Sequence, residues 1–279
     1  MRVVVAKHAG VCYGVERALK LAGQAAEGGG TVRTLGPLIH NPQAVAALED
    51  AGVRVASSLD DVAEGTLVIR SHGVDPAVIT AAEERGLDVV DATCPFVRAA
   101  HRCAGELRDA GYAVVIVGEA DHPEVEGILA HAGGEAHIVQ RAADLPARIK
   151  RRVGVVVQTT QPPAVLAEVV AALLPRVNEL RVCNTICSAT EQRQASAAEL
   201  ADEVDVIIVV GGHNSGNTTR LAEICAARNP RTHHVETAEE LDERWFDGAS
   251  VVGVTAGAST PDEQIRGVIE TVESLTGDE

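Results

Sequence analysis

Short apolar runs recur along the whole chain and alternate with stretches of helical spacing, and this alternation limits the fold more than any other feature. Twelve runs read as strands: 2–6, 31–35, 53–56, 66–70, 88–91, 113–117, 136–140, 153–158, 179–183, 204–210, 231–235 and 250–255. Helical spacing fills intervening stretches such as 42–50, 76–85, 163–174, 218–228 and 261–275. A strand followed by a crossover helix returns to pair in parallel, so the expected class is α/β with parallel sheets. A chain of 279 residues has room for two or three domains. Twelve strands fall into three fours if the first is lent to the last group, a division that a search for internal repeats brings out. The expected modules are 13–95, 96–187, and 188–279 with the N-terminal strand 1–12, each a small, mainly parallel sheet with flanking helices.

The ends of these strands carry the chemistry. The first strand of each four ends in a polar loop: Ile39-His40-Asn41-Pro42, Asp121-His122-Pro123-Glu124, or Gly212-His213-Asn214-Ser215-Gly216-Asn217. The third ends in Ser71-His72-Gly73, Gln158-Thr159-Thr160-Gln161, or Ala256-Gly257-Ala258-Ser259. The fourth delivers a cysteine: Cys94, Cys187 and, by wrapping round, Cys12. All three cysteines stand at strand-to-helix junctions, where unpaired N–H groups and the helix dipole favour a thiolate. Ligand sites in open α/β sheets lie beyond the carboxyl ends of the strands. Three such edges facing one cavity would bring together three thiolates within a ring of His, Ser, Thr and Asn.

Six cysteines in a long α/β chain whose first residues show no export signal argue against a disulfide framework and for metal ligation or catalysis. Cys225, within Leu221-Ala222-Glu223-Ile224-Cys225, reads as core, and so does Cys103, nine residues after Cys94 in the same helical stretch. Cys183 competes with Cys187, but the two are about four strand rises apart if extended, and the junction favours Cys187. The formal charge of −16 disfavours nucleic acid and anionic membranes as partners. With no apolar run of membrane-spanning length, the expected location is the cytoplasm.

Three thiolates fit either a four-iron cluster with one open iron or a zinc with an open position. No neighbouring pair of cysteines has finger-like spacing, which weighs against zinc; the plain alternative is three unrelated buried cysteines. The remaining polar residues read as an anion site. Thr260…Glu263 has capping-box spacing, Ser259 abuts a helix start, and Ser215 and Asn217 precede another. Such residues are also ordinary caps. His40 and His72 lie in Gly- and Pro-flanked polar loops that suit ligands, whereas His213, His233 and His234 lack that setting. Glu124 is the candidate proton donor and Thr159 its relay; Glu126, two residues on, points elsewhere. No Walker or G-x-G-x-x-G loop follows any strand, so nucleotide cofactors are not indicated.

Several of these segments together resemble the LytB family of 4-hydroxy-3-methylbut-2-enyl diphosphate reductases. They are Gly10-Val11-Cys12-Tyr13-Gly14-Val15, Gly36-Pro37-Leu38-Ile39-His40-Asn41, Ser71-His72-Gly73-Val74, Asp91-Ala92-Thr93-Cys94-Pro95, His122-Pro123-Glu124-Val125-Glu126-Gly127, Ile186-Cys187-Ser188-Ala189-Thr190 and Thr255-Ala256-Gly257-Ala258-Ser259. They run from Cys12 to Ser259, nearly the whole chain. The resemblance implies three α/β modules around a central [4Fe–4S] cluster on Cys12, Cys94 and Cys187, with one iron site open. It implies a diphosphate held by His40, His72, His122, Ser215, Asn217 and Ser259, and catalysis by Glu124, Thr159 and His122, with Glu124 supplying protons and Thr159 beside the substrate hydroxyl. Two electrons and two protons would remove the substrate hydroxyl as water, giving isopentenyl or dimethylallyl diphosphate at the end of the methylerythritol phosphate pathway. Gly216 stands where the family usually has a second serine. Glu119-Ala120-Asp121 stands where it often has glycine and histidine, adding negative charge near the implied diphosphate.

A ferredoxin or flavodoxin type electron donor is typically acidic, as this chain is, and the basic run Arg148-Ile149-Lys150-Arg151-Arg152 offers a local reversal of sign. The plainer account of that run is a solvated turn before a strand. Two other functions suit three cysteines on such a scaffold: a quinolinate-synthase-like lyase, which needs no external electrons, and a non-enzymatic cluster-based redox sensor, which needs no anion site.

Overall fold

The computed structural model describes residues 1–275. It contains three parallel sheets of four strands each, with flanking helices. β1 (Arg2–Val5) pairs with β12 (Val251–Ala256), which pairs with β10 (Val206–Val210), which in turn pairs with β11 (Thr232–Val235). β2 (Val32–Leu35), β3 (Val53–Ala56), β4 (Thr66–Ile69) and β5 (Asp88–Asp91) form the second sheet in the order β3-β2-β4-β5. β6 (Ala113–Val117), β7 (Ala136–Val139), β8 (Arg152–Val157) and β9 (Glu179–Cys183) form the third in the order β7-β6-β8-β9. All twelve expected strands form, and the first is indeed lent to the last sheet, in the register Arg2 opposite Val251.

The chain clusters into two compact units. One comprises Arg17–Leu38 and Leu48–Cys187 and holds the second and third sheets; the other comprises Met1–Glu16, Ile39–Ala47 and the chain from Ser188 on, and holds the first. In the latter, β10 reads Val-Ile-Ile-Val-Val because both of its faces are covered. Ile208 and Val210 pack with Val252, Val254, Val268 and Val272 on one face, while Ile207 and Val209 meet Ala197, Leu200 and Leu221 on the other. β6 and β8 do the same in the larger unit. Val114, Ile116 and Val156 face α4 (Pro95–Asp109) and α5 (Pro123–His131); Val115, Val117, Val155 and Val157 face α6 (Pro163–Leu173). Gly154 permits the close approach of α4, since a Cβ there would lie 2.5 Å from Leu107.

Two expectations are corrected. Asp121-His122-Pro123-Glu124 is the start of a helix rather than a loop: His122 is the N-cap of α5 and Pro123 its first residue, where a missing N–H costs nothing. Thr260 does not cap α9 (Asp262–Ser274), whose N-cap is Pro261; its hydroxyl instead donates to Val210 O (3.0 Å), at the end of β10. No described helix is long and apolar enough to cross a membrane.

Candidate active site

In the larger unit, the polar residues gather at the carboxyl ends of β4, β5, β6, β8 and β9. Cys94 is the N-cap of α4, and its N–H donates to Ser71 O (2.9 Å), tying the end of β5 to the loop after β4. Asp91 Oδ1 accepts from the N–H of Thr93 (2.9 Å), and the Arg17 guanidinium donates to the carbonyls of Thr93 (3.2 Å) and Asp91 (3.3 Å). The turn bearing Cys94 is thus held from both sides. In the next residues after β4, Gly73 (φ +73°) closes the turn that carries His72. The His72 and His122 rings meet edge to face, 5.5 Å between centroids. His122 Nδ1 accepts from the N–H of Glu124 (3.1 Å), so the neutral ring carries its proton on Nε2 and presents a donor there.

Glu124 lies in the first turn of α5, 2% exposed. Its Oε1 accepts from the Thr159 N–H (2.6 Å) and its Oε2 from the Thr159 hydroxyl (2.9 Å). Burial pushes its carboxyl up to about 7, with Glu119 adding to the rise; the two Thr159 hydrogen bonds oppose it without cancelling it. The same loop after β8 reaches Cys187, whose N–H donates to Thr159 O (2.9 Å). Just before it, the Thr185 hydroxyl bonds both to the N–H of Val157 (3.1 Å) and to the Val157 carbonyl, fixing the link from β9 to Cys187. Glu126 is solvated and pairs with Arg70 at 3.6 Å.

In the smaller unit, the Cys12 N–H donates to Ala258 O (3.0 Å) and its carbonyl accepts from the Glu16 N–H (2.9 Å), so Cys12 sits at the start of α1 (Tyr13–Glu27) beside the loop after β12. From that loop the Ser259 hydroxyl donates to His40 O (3.0 Å). Ser215 is the N-cap of α8 (Gly216–Ala226), its hydroxyl accepting from the Thr218 N–H (3.3 Å). Asn217, in the first turn, has both side-chain amide atoms buried without a hydrogen-bond partner. A buried amide left unmade costs about 1–3 kcal/mol, and none of the described residues offsets that cost here. His213, His233 and His234 have structural engagements instead: with Glu240 (3.3 Å), stacked on Trp245 (4.0 Å), and with Gly211 O (2.8 Å).

The remaining cysteines are accounted for. Cys225 lies in the core, its thiol raised by burial to about 11 and donating to Ala197 O (3.7 Å). Cys103 and Cys183 are joined as a disulfide, against the expectation of a reduced core residue and a rival ligand. The physical reason is topological: α4 packs over β6 and β8, and β9 is the neighbour of β8, which brings residues 80 apart in sequence to a Cα–Cα distance of 6.7 Å. Cys12, Cys94 and Cys187 are left as the thiols at strand ends.

The chain matches the LytB protein family over residues 3–273. It belongs to the LytB family. The 4-hydroxy-3-methylbut-2-enyl diphosphate reductase of Geobacter sulfurreducens is 53% identical over 278 residues, covering 99% of this chain and 98% of its own. The enzyme of the same name from Geotalea uraniireducens is 50% identical over 281 residues, covering 100% and 99%. A solved (E)-4-hydroxy-3-methyl-but-2-enyl diphosphate reductase structure, described as the terminal enzyme of the non-mevalonate pathway, is 46% identical and superposes with a TM-score of 0.76 over 98% of this chain and 100% of that one. The E-1-hydroxy-2-methyl-but-2-enyl-4-diphosphate reductase of Plasmodium falciparum is 26% identical with a TM-score of 0.89, over 99% and 88%.

This LytB chain also uses residues to which sequence reasoning gave no role of their own. Arg193 on α7 (Ser188–Glu203), 5% exposed, donates to Gly10 O (2.7 Å), two residues before Cys12. Gln158 accepts from the Glu119 N–H (3.0 Å) and from Gln161 (3.2 Å), bracing the start of the α5 loop. His101 on α4 stacks on His131 (4.2 Å) and fills the space left by Gly73 and Gly127; burial and His131 hold its pKa down to about 3. An arginine or histidine inside a helical stretch carries no sequence signal that separates such bracing from a solvated face.

Proposed function

We propose that the chain is an iron–sulfur oxidoreductase that reductively dehydroxylates 4-hydroxy-3-methylbut-2-enyl diphosphate to isopentenyl and dimethylallyl diphosphate, the final step of the methylerythritol phosphate pathway. The observation that carries the reading is the buried Glu124–Thr159 pair: an acid raised to about 7 keeps a proton near neutrality and has a hydroxyl beside it to pass that proton on. The names and near-full-length similarity of the relatives support this choice of substrate. Cys12, Cys94 and Cys187 are the proposed ligands of a [4Fe–4S] cluster with one open iron site. The donor set fits: three thiols at helix starts, with the other three cysteines in a disulfide or the core. When bound, the cluster would pass on the donor's two electrons one at a time and offer a Lewis-acidic site for the substrate hydroxyl.

Diphosphate binding falls to His40, His72, His122, Ser215, Asn217 and Ser259. His122 offers Nε2–H, and Asn217 offers the amide that has no partner among the described residues. The reaction consumes two electrons and two protons per hydroxyl lost as water; Glu124 holds the proton and the Thr159 hydroxyl transmits it. Protonation at either end of the allylic system sets the product. An acidic ferredoxin or flavodoxin type donor supplies the electrons in the cytoplasm, docking at 148–152, where Arg148 and Lys150 are exposed.

The test is anaerobic. Iron and sulfide are reconstituted into the chain, and spectra are recorded with and without the hydroxylated allylic diphosphate. The expected result is a cluster spectrum that changes on adding substrate and dithionite-dependent formation of both products. Turnover without reductant would indicate a lyase, and a cluster indifferent to the diphosphate a sensor; either outcome overturns the reading.

A further inference from the structure

The pairing of Cys103 with Cys183 serves neither the proposed cluster nor the diphosphate, and its position gives it a distinct use. Cys103 is on α4, nine residues beyond Cys94, about 13 Å along a rigid helix. Cys183 ends β9, four residues before Cys187. Their bond therefore links the helix that starts at Cys94 to the strand that leads to Cys187. Non-covalently, Cys183 packs against the cluster to which α4 contributes Ala100, Ala104 and Leu107, and Arg181 pairs with Glu106 at 3.2 Å in an exposed ion pair of the kind that contributes little. Beyond Cys183, Thr185 and Cys187 are fastened to the end of β8 by the hydrogen bonds described above. Fixing Cys183 against α4 thus restrains both cysteine-bearing segments at once.

The two sulfurs are unequally accessible. Among the described residues β9 is an edge strand paired with β8 alone, and Cys183 is half-buried; Cys103 is 6% exposed among Ala100, Ala104, Leu107 and Ile128. A small oxidant reaches Cys183 first, and Cys103 is placed to resolve it.

We propose that Cys103 and Cys183 are a reversible thiol–disulfide modification site, closed by a peroxide and opened by a small dithiol, that staples the segment bearing Cys94 to the segment bearing Cys187. Peroxide oxidises the Cys183 thiol to a sulfenic acid with release of one water. The Cys103 thiol then attacks that sulfur, forming the S–S bond and releasing a second water. Two thiols and one peroxide give one disulfide and two waters. In the return step a dithiol attacks Cys183 to form a mixed disulfide, Cys103 leaves as a thiol, and the dithiol closes on itself as a disulfide, releasing Cys183 as a thiol. The effect on metal retention rests on the ligand assignment above; the modification itself does not.

The experiment uses the full chain, purified anaerobically and divided between dithiothreitol and hydrogen peroxide. Alkylation followed by peptide mass spectrometry is expected to find Cys103 and Cys183 both labelled after dithiothreitol and cross-linked to each other after peroxide, the link reopening when dithiothreitol is restored. Closing an 80-residue loop is expected to raise the melting temperature by on the order of 10 °C. This difference should vanish in Cys103→Ala and in Cys183→Val. The wild-type comparison stands without those variants should either fail to fold. Cys103 and Cys183 both remaining alkylatable after peroxide, or a link that dithiothreitol cannot open in the folded protein, would overturn the proposal. In a second arm, iron release to a chelator from the reconstituted chain is expected to be slower in the closed form. Absence of any cluster in both forms would fault the ligand assignment, with the thiol mapping unaffected.

Discussion

Glu124 concentrates two opposing demands in one carboxyl. Its burial favours the neutral acid, while the Thr159 N–H and hydroxyl favour the anion, and burial wins. A donor of this kind works only while protonated, so turnover is expected to be sustained below pH about 7 and to fall above it, as a pH–rate profile would record. Glu124→Gln should lower kcat by about 10²–10⁴-fold while leaving iron content unchanged. The same carboxyl bears on stability. Between its ordinary value of 4.5 and about 7, the folded chain keeps a proton that the unfolded chain has lost, so folding stability falls as pH rises through that window, by on the order of 3 kcal/mol. Urea midpoints at pH 5 and pH 8 should differ in the wild type by more than in Glu124→Gln. Asn217 makes the complementary case. Removing a buried, unmated amide relieves its desolvation cost, so Asn217→Ala should raise the urea stability of the ligand-free chain by about 1 kcal/mol. Diphosphate affinity, measured by calorimetry, should fall by about tenfold or more, since a hydrogen bond to a charged group contributes about 1.5–3 kcal/mol.

At the scale of elements, the arrangement around Glu124 depends on how α4 meets α5. Gly127 lies in α5, where alanine would normally gain up to about 1 kcal/mol of helix propensity. Here a Cβ would lie 2.8 Å from His101 Nε2, and overpacking costs about 1–3 kcal/mol. The clash prevails, so Gly127→Ala should lower the melting temperature, and adding His101→Ala should restore part of the loss. Gly73 repeats the lesson: its φ of +73° and a would-be Cβ 2.4 Å from His101 Cε1 tie the His72 turn to the same ring. His101 thereby spaces the loop carrying His72 from the helix carrying His122 and Glu124, and its low pKa keeps the spacer uncharged. The elements themselves were legible in advance because each leaves a local trace, either a β-rich apolar run or a Pro-led helix start. α5 was missed because its first turn, Pro-Glu-Val-Glu, looks like a polar loop until the N-cap bond from Glu124 N–H to His122 is seen.

For the molecule as a whole, charge is the property that reaches furthest. An acidic chain repels an acidic electron donor, and Arg148 and Lys150 stand exposed at 148–152, whereas Arg152 is occupied by Glu179 (2.7 Å) and by the Tyr112 ring (4.6 Å). Reversing Arg148 and Lys150 to glutamate should slow reduction by ferredoxin by about tenfold at low salt, the gap narrowing as salt screens it; stopped-flow rates across a salt series would record this. Unchanged, salt-insensitive rates would remove this surface from the docking account. The sequence by itself determined the class of fold, the twelve strands, the loan of β1 to the last sheet, and which residues stand at strand ends, because periodicity and junction position are local properties of the chain. Only the tertiary structure decided that Cys103 meets Cys183, that Glu124 is buried on Thr159, that Asn217 has no partner among the described residues, and that His101 and Arg193 brace the loops. Those are facts of proximity and of exclusion from water between residues tens to nearly two hundred positions apart, and spacing along a chain does not encode them.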